Sequence, residues 1–151
     1  MLKMYKLTHT AKEPTRGSRL ATGYDLSADE EKVISPGHAA AVGTGLRLDV
    51  TEASSSLDVQ VRSRSGMALK HSVFVLNSPG TIDQDYQGEL KVILMNLGDE
   101  PYVIRKGDRI AQLVMGMAMH LPILVKPFTE DTADKIKPTE RGTGGFGSTG
   151  K

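Results

Sequence analysis

Three stretches of this chain bring together side chains whose types and spacing suit a phosphorylated ligand. Arg62-Ser63-Arg64-Ser65-Gly66 lies between a strand pattern and a short helical one, so guanidinium charge, hydroxyls and backbone amides meet at one bend. That chemistry suits a phosphate, and it equally suits a basic loop paired with surface carboxylates. From Asn77 to Glu89 the chain reads as two strands around a glycine-bounded bend. Hairpin backbone presents donors and acceptors that can read the edge of a planar base; Asn77 adds a paired donor and acceptor, Asp83 a base and Tyr86 a flat face. An ordinary hairpin with polar turn residues has the same composition. The stretch from Arg141 to Lys151 is rich in glycine, whose neighbouring N–H groups can cradle phosphate oxygens while Arg141 and Ser148 add charge and a hydroxyl. Gly142-x-Gly144-x-x-Gly147 formally matches a dinucleotide fingerprint but lacks the strand before it and the helix after it. A flexible tail would also be glycine-rich, although Arg141 and the lone aromatic Phe146 are unusual in a passive linker.

The elements that must hold these stretches are short and strand-like. Leu57, Val59 and Val61 alternate with Asp58, Gln60 and Arg62, and Leu46 and Leu48 alternate with Arg47 and Asp49. Over 89–95, Leu90, Val92 and Leu94 share one face and Lys91, Ile93 and Met95 the other, which predicts a strand covered on both sides. Further strands are expected over 2–7, 32–34, 72–76, 102–105 and 110–119, where alternating Met115, Met117 and Met119 suit a flexible core or a subunit seam. Turns are expected at Ser35-Pro36-Gly37, Ser78-Pro79-Gly80 and Lys106-Gly107-Asp108. One short helix is expected from Ser65, as its cap, to Lys70. Many short strands with Gly and Pro turns predict an all-β sandwich or barrel. After Pro127 the alternation stops, so residues 1–127 are expected to form the core and 128–151 an arm.

Composition narrows the function. The 19 Lys and Arg nearly cancel the 18 Asp and Glu over 151 residues, so no field advertises nucleic acid or an anionic membrane, and any polyanion must be bound locally. With no Cys, disulfides, thiolate chemistry and Cys-based zinc sites are excluded, and the scattered His9, His38, His71 and His120 do not form a zinc motif. The longest apolar runs, 73–76 and 92–95, fall far short of the roughly 20 residues that span a bilayer, and Lys3 and Lys6 interrupt the N-terminal apolar residues. A cytoplasmic protein is expected.

In chain order, these clusters and two others resemble the motifs of the trimeric deoxyuridine triphosphate nucleotidohydrolases, the dUTPases. The matching residues are Ala21-Thr22-Gly23-Tyr24-Asp25-Leu26-Ser27-Ala28, Arg64-Ser65-Gly66, Asn77 through Glu89, Gly107-Asp108-Arg109-Ile110-Ala111-Gln112-Leu113, and Arg141-Gly142-Thr143-Gly144-Gly145-Phe146-Gly147-Ser148. The resemblance runs over nearly the whole chain. It implies an all-β distorted jelly-roll subunit, a homotrimer with sites at subunit interfaces, and a C-terminal arm that closes over a neighbour's site. The implied reaction is hydrolysis of dUTP to dUMP and pyrophosphate by in-line attack of water on the α-phosphorus, which limits uracil in DNA and supplies dUMP for dTMP synthesis.

By the same resemblance Asp83 activates the water. Arg64, Ser65, Gly66 and Gln112 hold the phosphates, with Arg141 and Ser148 joining from the arm. Asn77 and the backbone of Gly80, Thr81, Ile82 and Asp83 read uracil; Tyr86 lies against the deoxyribose, and Phe146, beside Gly147, stacks on the base. Lys91 lines the substrate, or is a solvated strand lysine. Mg2+ is implied, carried by the phosphates and waters with no direct protein ligand; Asp25 meets it through a water, braces Arg64, or is a purely structural carboxylate. Two positions depart from the family: Gln87 stands where Arg is common, which puts one interface ion pair in doubt, and Met67 where Leu is usual. The related dCTP deaminases share this fold, but Tyr86 near Asp83 and the full arm motif favour the diphosphatase; a non-catalytic regulator on the same fold is the other alternative. No nucleic-acid or membrane partner is implied. The expected compartment is the cytoplasm, or a host's cytoplasm for a viral protein.

Overall fold

The computed structural model describes residues 2–50, 53, 55–127 and 139–144. The chain divides into two units, Met1–His120 and Leu121–Lys151. Among its described residues the first holds β1 (Lys3–Lys6), β2 (Tyr24–Ser27), β3 (Lys32–Ile34), β4 (Ala39–Gly43), β5 (Leu46–Asp49) and β6 (Leu57–Arg62). Helix α1 (Ser65–His71) follows, then β7 (Val73–Val75), β8 (Gly80–Ile82), β9 (Lys91–Asn96), β10 (Tyr102–Ile104) and β11 (Arg109–Met117). The strands pair antiparallel in four sheets, ordered β1-β5, β10-β3, β2-β11-β6-β8 and β4-β9-β7. This is the expected all-β, distorted jelly-roll architecture.

The alternation seen in sequence is the alternation of burial. On β6, Val59 and Val61 are buried while Asp58, Gln60 and Arg62 keep solvent contact; on β5, Leu46 and Leu48 are buried and Arg47 is exposed. These residues meet Leu26, Ile34, Val42, Leu94, Ile104 and Leu113 in one core. Strand β9 differs from expectation. Val92 and Leu94 are buried, but Lys91 and Ile93 are exposed, because the residues opposite Ile93 and Met95 on β4 are Ala41 and Ala39, too small to cover them. The outer face of this sheet is therefore an uncovered apolar surface that also includes half-buried Phe74 on β7, opposite Met95.

Two buried polar residues fix how the sheets join. The Asn96 amide donates to the carbonyls of Ile34 and Glu100 and its oxygen accepts from the Gly98 N–H, each at 2.9 Å, tying β9 to β3 and to the turn before β10. The Thr44 hydroxyl donates to the Leu90 carbonyl at 2.6 Å, anchoring the β4–β5 link to the start of β9.

Helix α1 begins at Ser65 itself, so its cap lies one residue before the expected one. Arg64, extended at φ −88° and ψ 124°, is the N-cap and makes no side-chain cap bond, since a guanidinium has no acceptor for the free helix amides; it is turned toward Asp25 instead. At the other end Ser72 is left-handed (φ 55°) and its N–H donates back to the Ala68 carbonyl, closing the helix. Met67 is the one buried residue of the helix, so Met in place of Leu changes only how that one space is filled.

In the second unit, residues 121–127 form neither strand nor helix, and Leu121, Ile123, Leu124 and Val125 are all exposed.

Near the β4–β5 link, Gly45 (φ +65°) passes so close to Asp29 that a Cβ would stand 2.6 Å from Asp29 Oδ2 and 2.9 Å from the Ala11 Cβ. The Thr8 hydroxyl donates to the Asp29 carboxylate, and Lys106 Nζ stands 3.5 Å from its other oxygen, which has no hydrogen-bond partner. Hydrogen bonds from Thr8 and Thr10 hold this carboxyl below its ordinary value of 3.8, outweighing the upward push of burial, and the Lys106 charge adds to them. A carboxyl whose folded value is depressed contributes stability above its unfolded value and loses it as pH falls through the folded one. In thermal melts, Asp29→Asn should be less stable than the parent at neutral pH, with the gap closing below about pH 3–4. A gap that persists unchanged into acid would assign the effect to packing instead.

Candidate active site

A cavity of about 290 Å³ opens beside the β6–β8 pair. Val61, Val75, Ala41, Ile82 and Ile93 give it apolar walls, while Asn77, Gly80, Thr81, Asp83, Tyr86 and Lys91 complete its lining and bring the polar residue types. Strand β8 is held in register on β6 by the pairs Val61↔Gly80, Gln60↔Thr81 and Val59↔Ile82. The Asn77 amide lies against Gly80, where a Cβ would come within 3.2 Å of Nδ2. The loop beyond β8 is pinned by Gln84, whose amide donates to the carbonyls of Ser55 and Leu57, and by the turn bond from Tyr86 N–H to the Asp83 carbonyl at 3.1 Å. Thr81 to Asp83 also border a second cavity, of about 560 Å³, with Asp58, Asp85 and His120, so Asp83 stands on a thin wall between two spaces. Gln87 lines a separate hollow with Arg47 and Gln84.

Lys91 is drawn to Glu89, with Nζ 3.6 Å from Oε2, while Glu89 Oε1 accepts the Gly45 N–H at 2.9 Å. Glu30 braces the same link by accepting the Gly43 N–H at 2.6 Å. That bond holds the Glu30 carboxyl below its ordinary 4.5 against the effect of burial, with Lys32 and Lys91 contributing through their charge.

Arg64, Ser65, Gly66 and Gln112 do not line the 290 Å³ cavity. Arg64 and Gln112 belong to a second cluster built on Asp25. Its side chain is only 7% exposed, and it accepts from Arg109 Nη1 at 3.0 Å, Arg64 Nε at 3.3 Å and Gln112 Nε2 at 3.4 Å. Arg64 also donates from Nη1 to the Arg109 carbonyl at 2.9 Å. Asp25 is thus hydrogen-bonded to Arg64, an arrangement that fits a brace for that arginine and a purely structural carboxylate alike. Ser65 and Gly66 start α1 beside Arg64, and Gly66 borders open space. Arg141 lies in the second unit, in a turn where its Nε donates to the Gly144 carbonyl at 2.9 Å and Gly142 adopts φ 51°. Phe146, Gly147 and Ser148 lie outside the described residues.

Arg109 was not singled out in the sequence. On a regular strand, Arg109 and Gln112, three residues apart, would face opposite sides. The register of β11 against β2 shifts between Arg109 and Ala111, so Arg109 pairs with Ser27 and Gln112 with Asp25, and both side chains reach the same carboxylate. The quoted motif contained the residue but not the bulge that makes it useful.

Among the described residues no group of three or more His, Asp or Glu side chains converges as a metal cage. The donors at the two clusters are carboxylate and amide oxygens, which suit a hard divalent cation carried largely by its ligand.

An all-β fold with a base-sized cavity, and an arginine pair held by a buried carboxylate, defines a protein of the nucleotide-binding class. The dUTPase family model matches residues 9–150. The deoxyuridine 5'-triphosphate nucleotidohydrolase of Nautilia profundicola is 43% identical over 150 residues, covering 99% of each chain. That of a Picosynechococcus species is 46% identical over 149 residues, covering 99% of this chain and 98% of its own. Among solved structures, the Staphylococcus bacteriophage 80alpha dUTPase with dUPNHPP superposes with a TM-score of 0.84 at 25% identity, covering 100% of this chain and 99% of that one. The chain belongs to the dUTPase family.

The Asp25 cluster predicts its own test. Asp25→Asn keeps the shape but removes the charge shared by two guanidiniums. Because both arginines keep solvent contact, the expected loss is modest, about 1–3 kcal/mol in urea unfolding. An unchanged midpoint and slope would show that the cluster contributes nothing to folding.

Proposed function

We propose that this dUTPase hydrolyses dUTP to dUMP and pyrophosphate with the 290 Å³ cavity as its nucleoside site and the Asp25 cluster as its phosphate site. The observation that carries the reading is the cavity itself: Asn77, Gly80, Thr81, Ile82, Asp83 and Tyr86 line one space of about 290 Å³.

In this reading Asn77 and the backbone of Gly80, Thr81 and Ile82 pair with the uracil edge. Cytosine, with a donor where uracil has an acceptor, would leave those groups unpaired. Tyr86 lies against the deoxyribose and Lys91 at the cavity rim. Asp83 accepts a proton from the water that attacks the α-phosphorus in line with departing pyrophosphate, and no covalent intermediate forms. Arg64, Ser65, Gly66 and Gln112 hold the phosphates, with Arg64 presented by Asp25. Mg2+ on the phosphates, with Asp25 reaching it through a water, supplies charge neutralisation.

The functional unit in this reading is a homotrimer acting in the cytoplasm, or in a host's cytoplasm if the source is viral. Two features support assembly. The nucleoside cavity and the phosphate cluster do not share lining residues, so a second copy can complete each site. Beyond the cavity walls, Ala39, Phe74 and Met95 continue an apolar face that a partner surface could cover. The arm, residues 128–151, would close over a neighbour's site and bring Arg141 and Ser148 to the phosphates and Phe146, beside Gly147, to the base.

With dUTP, dCTP and UTP offered in turn with Mg2+, pyrophosphate should appear from dUTP alone; ammonia from dCTP would overturn the assignment. Asp83→Asn should still bind dUTP while turning over about 10²–10⁴-fold more slowly; near-normal turnover would remove Asp83 as the base. Light scattering of the full chain should give three times the chain mass, and a monomer would dismiss interfacial sites.

A further inference from the structure

We propose that Gly88 is the residue that sets where the Tyr86 ring lies, and so helps determine the choice between deoxyribose and ribose. The proposal deepens the reading of Tyr86 as the residue against the sugar, and rests on it.

Tyr86 is 46% exposed, so the core does not clamp it. The ring instead folds back onto its own chain. Its hydroxyl donates to the Glu89 carbonyl at 2.9 Å, and its edge lies directly over Gly88. A Cβ built at Gly88 would stand 2.4 Å from Tyr86 Oη, 2.5 Å from Cζ and 2.9 Å from Cε2. Carbon contacts settle near 3.5–4.0 Å, so a methyl group there displaces the ring by about 1 Å or more. Gly88 is not among the glycines with positive φ, so its backbone can accept an alanine; what the ring requires is the missing side chain.

The seat is firmer than the ring. Glu89, whose carbonyl receives the Tyr86 hydroxyl, is tied through its carboxylate to the Gly45 N–H and stands beside Lys91, another side chain at the cavity rim. The three nearest atoms that the new methyl would meet all belong to the far part of the Tyr86 side chain. The ring should therefore yield, losing its bond to Glu89, while the loop keeps its course. Tyr86 is then free of the sugar, and a 2'-hydroxyl no longer meets it.

The test measures kcat/KM for dUTP and for UTP, by pyrophosphate release, on the full-length parent, Gly88→Ala, Tyr86→Ala and the double variant, with a thermal melt of each. The expected result is a fall of about tenfold or more in the dUTP-over-UTP ratio for Gly88→Ala, with a melt close to the parent's. Tyr86→Ala should show a similar fall, and adding Gly88→Ala to it should lower the ratio no further, because Gly88 acts only through the ring. If Tyr86→Ala loses the preference and Gly88→Ala keeps it, the seat is overturned and the sugar contact stands. If Tyr86→Ala keeps the preference, both fall together. Additive losses, or a Gly88→Ala chain that does not fold, also overturn the proposal, since the glycine would then serve the loop rather than the ring.

Discussion

Asp25 is almost wholly removed from water, and three side chains from two distant parts of the chain satisfy its carboxylate. Arg64 follows β6, while Arg109 and Gln112 both come from β11, and they meet at this carboxylate on β2. A buried carboxylate with such partners specifies geometry more than it adds stability, because desolvation offsets much of the attraction. What it specifies is the direction of Arg64. That guanidinium takes one bond to Asp25 and one to the Arg109 carbonyl, so its remaining donors have a fixed orientation before any ligand arrives.

The surroundings of the 290 Å³ cavity are organised differently. There the positioning atoms are mostly backbone, set by the β6–β8 register, and side-chain carboxylates serve as struts from outside. Glu30 and Glu89 grip the Gly43 and Gly45 amides on either side of Thr44, whose hydroxyl reaches the Leu90 carbonyl. The β4–β5 link is thus held to the start of β9, the strand that carries Lys91 and Ile93 to the cavity. Rigid backbone with few mobile side chains suits recognition of a planar base, where a displaced donor loses the pairing.

Much of this was legible in the chain. Alternation on β5 and β6 identified their buried faces, and the motifs identified the cavity residues and Asp25. The rest lacked a local signal. Strand β4 is Ala-Ala-Ala-Val-Gly, with little β-propensity and no alternation, and it forms because β9 pairs with it in register. The outer face of β9 looked covered because Ile93 and Met95 are apolar, but apolar residues remain on the surface when their neighbours are small. Arg109 depended on a bulge, which no periodicity reveals. The first helical residue was misread because a serine hydroxyl suggested a cap, while a distant carboxylate had claim on the residue before it.

At the Asp25 cluster two guanidiniums share one carboxylate, leaving a small positive excess on a chain whose net formal charge is only +1. A triphosphate carries several negative charges, far more than this excess can balance. If the cluster holds the phosphates as proposed, most of the neutralising charge would have to come from elsewhere, such as a cation on the ligand. A phosphate site so charged would discriminate against bare polyanions, which would find too little to hold them without a counter-ion. The ionic composition of the medium, as much as the protein, then decides how firmly the nucleotide is kept.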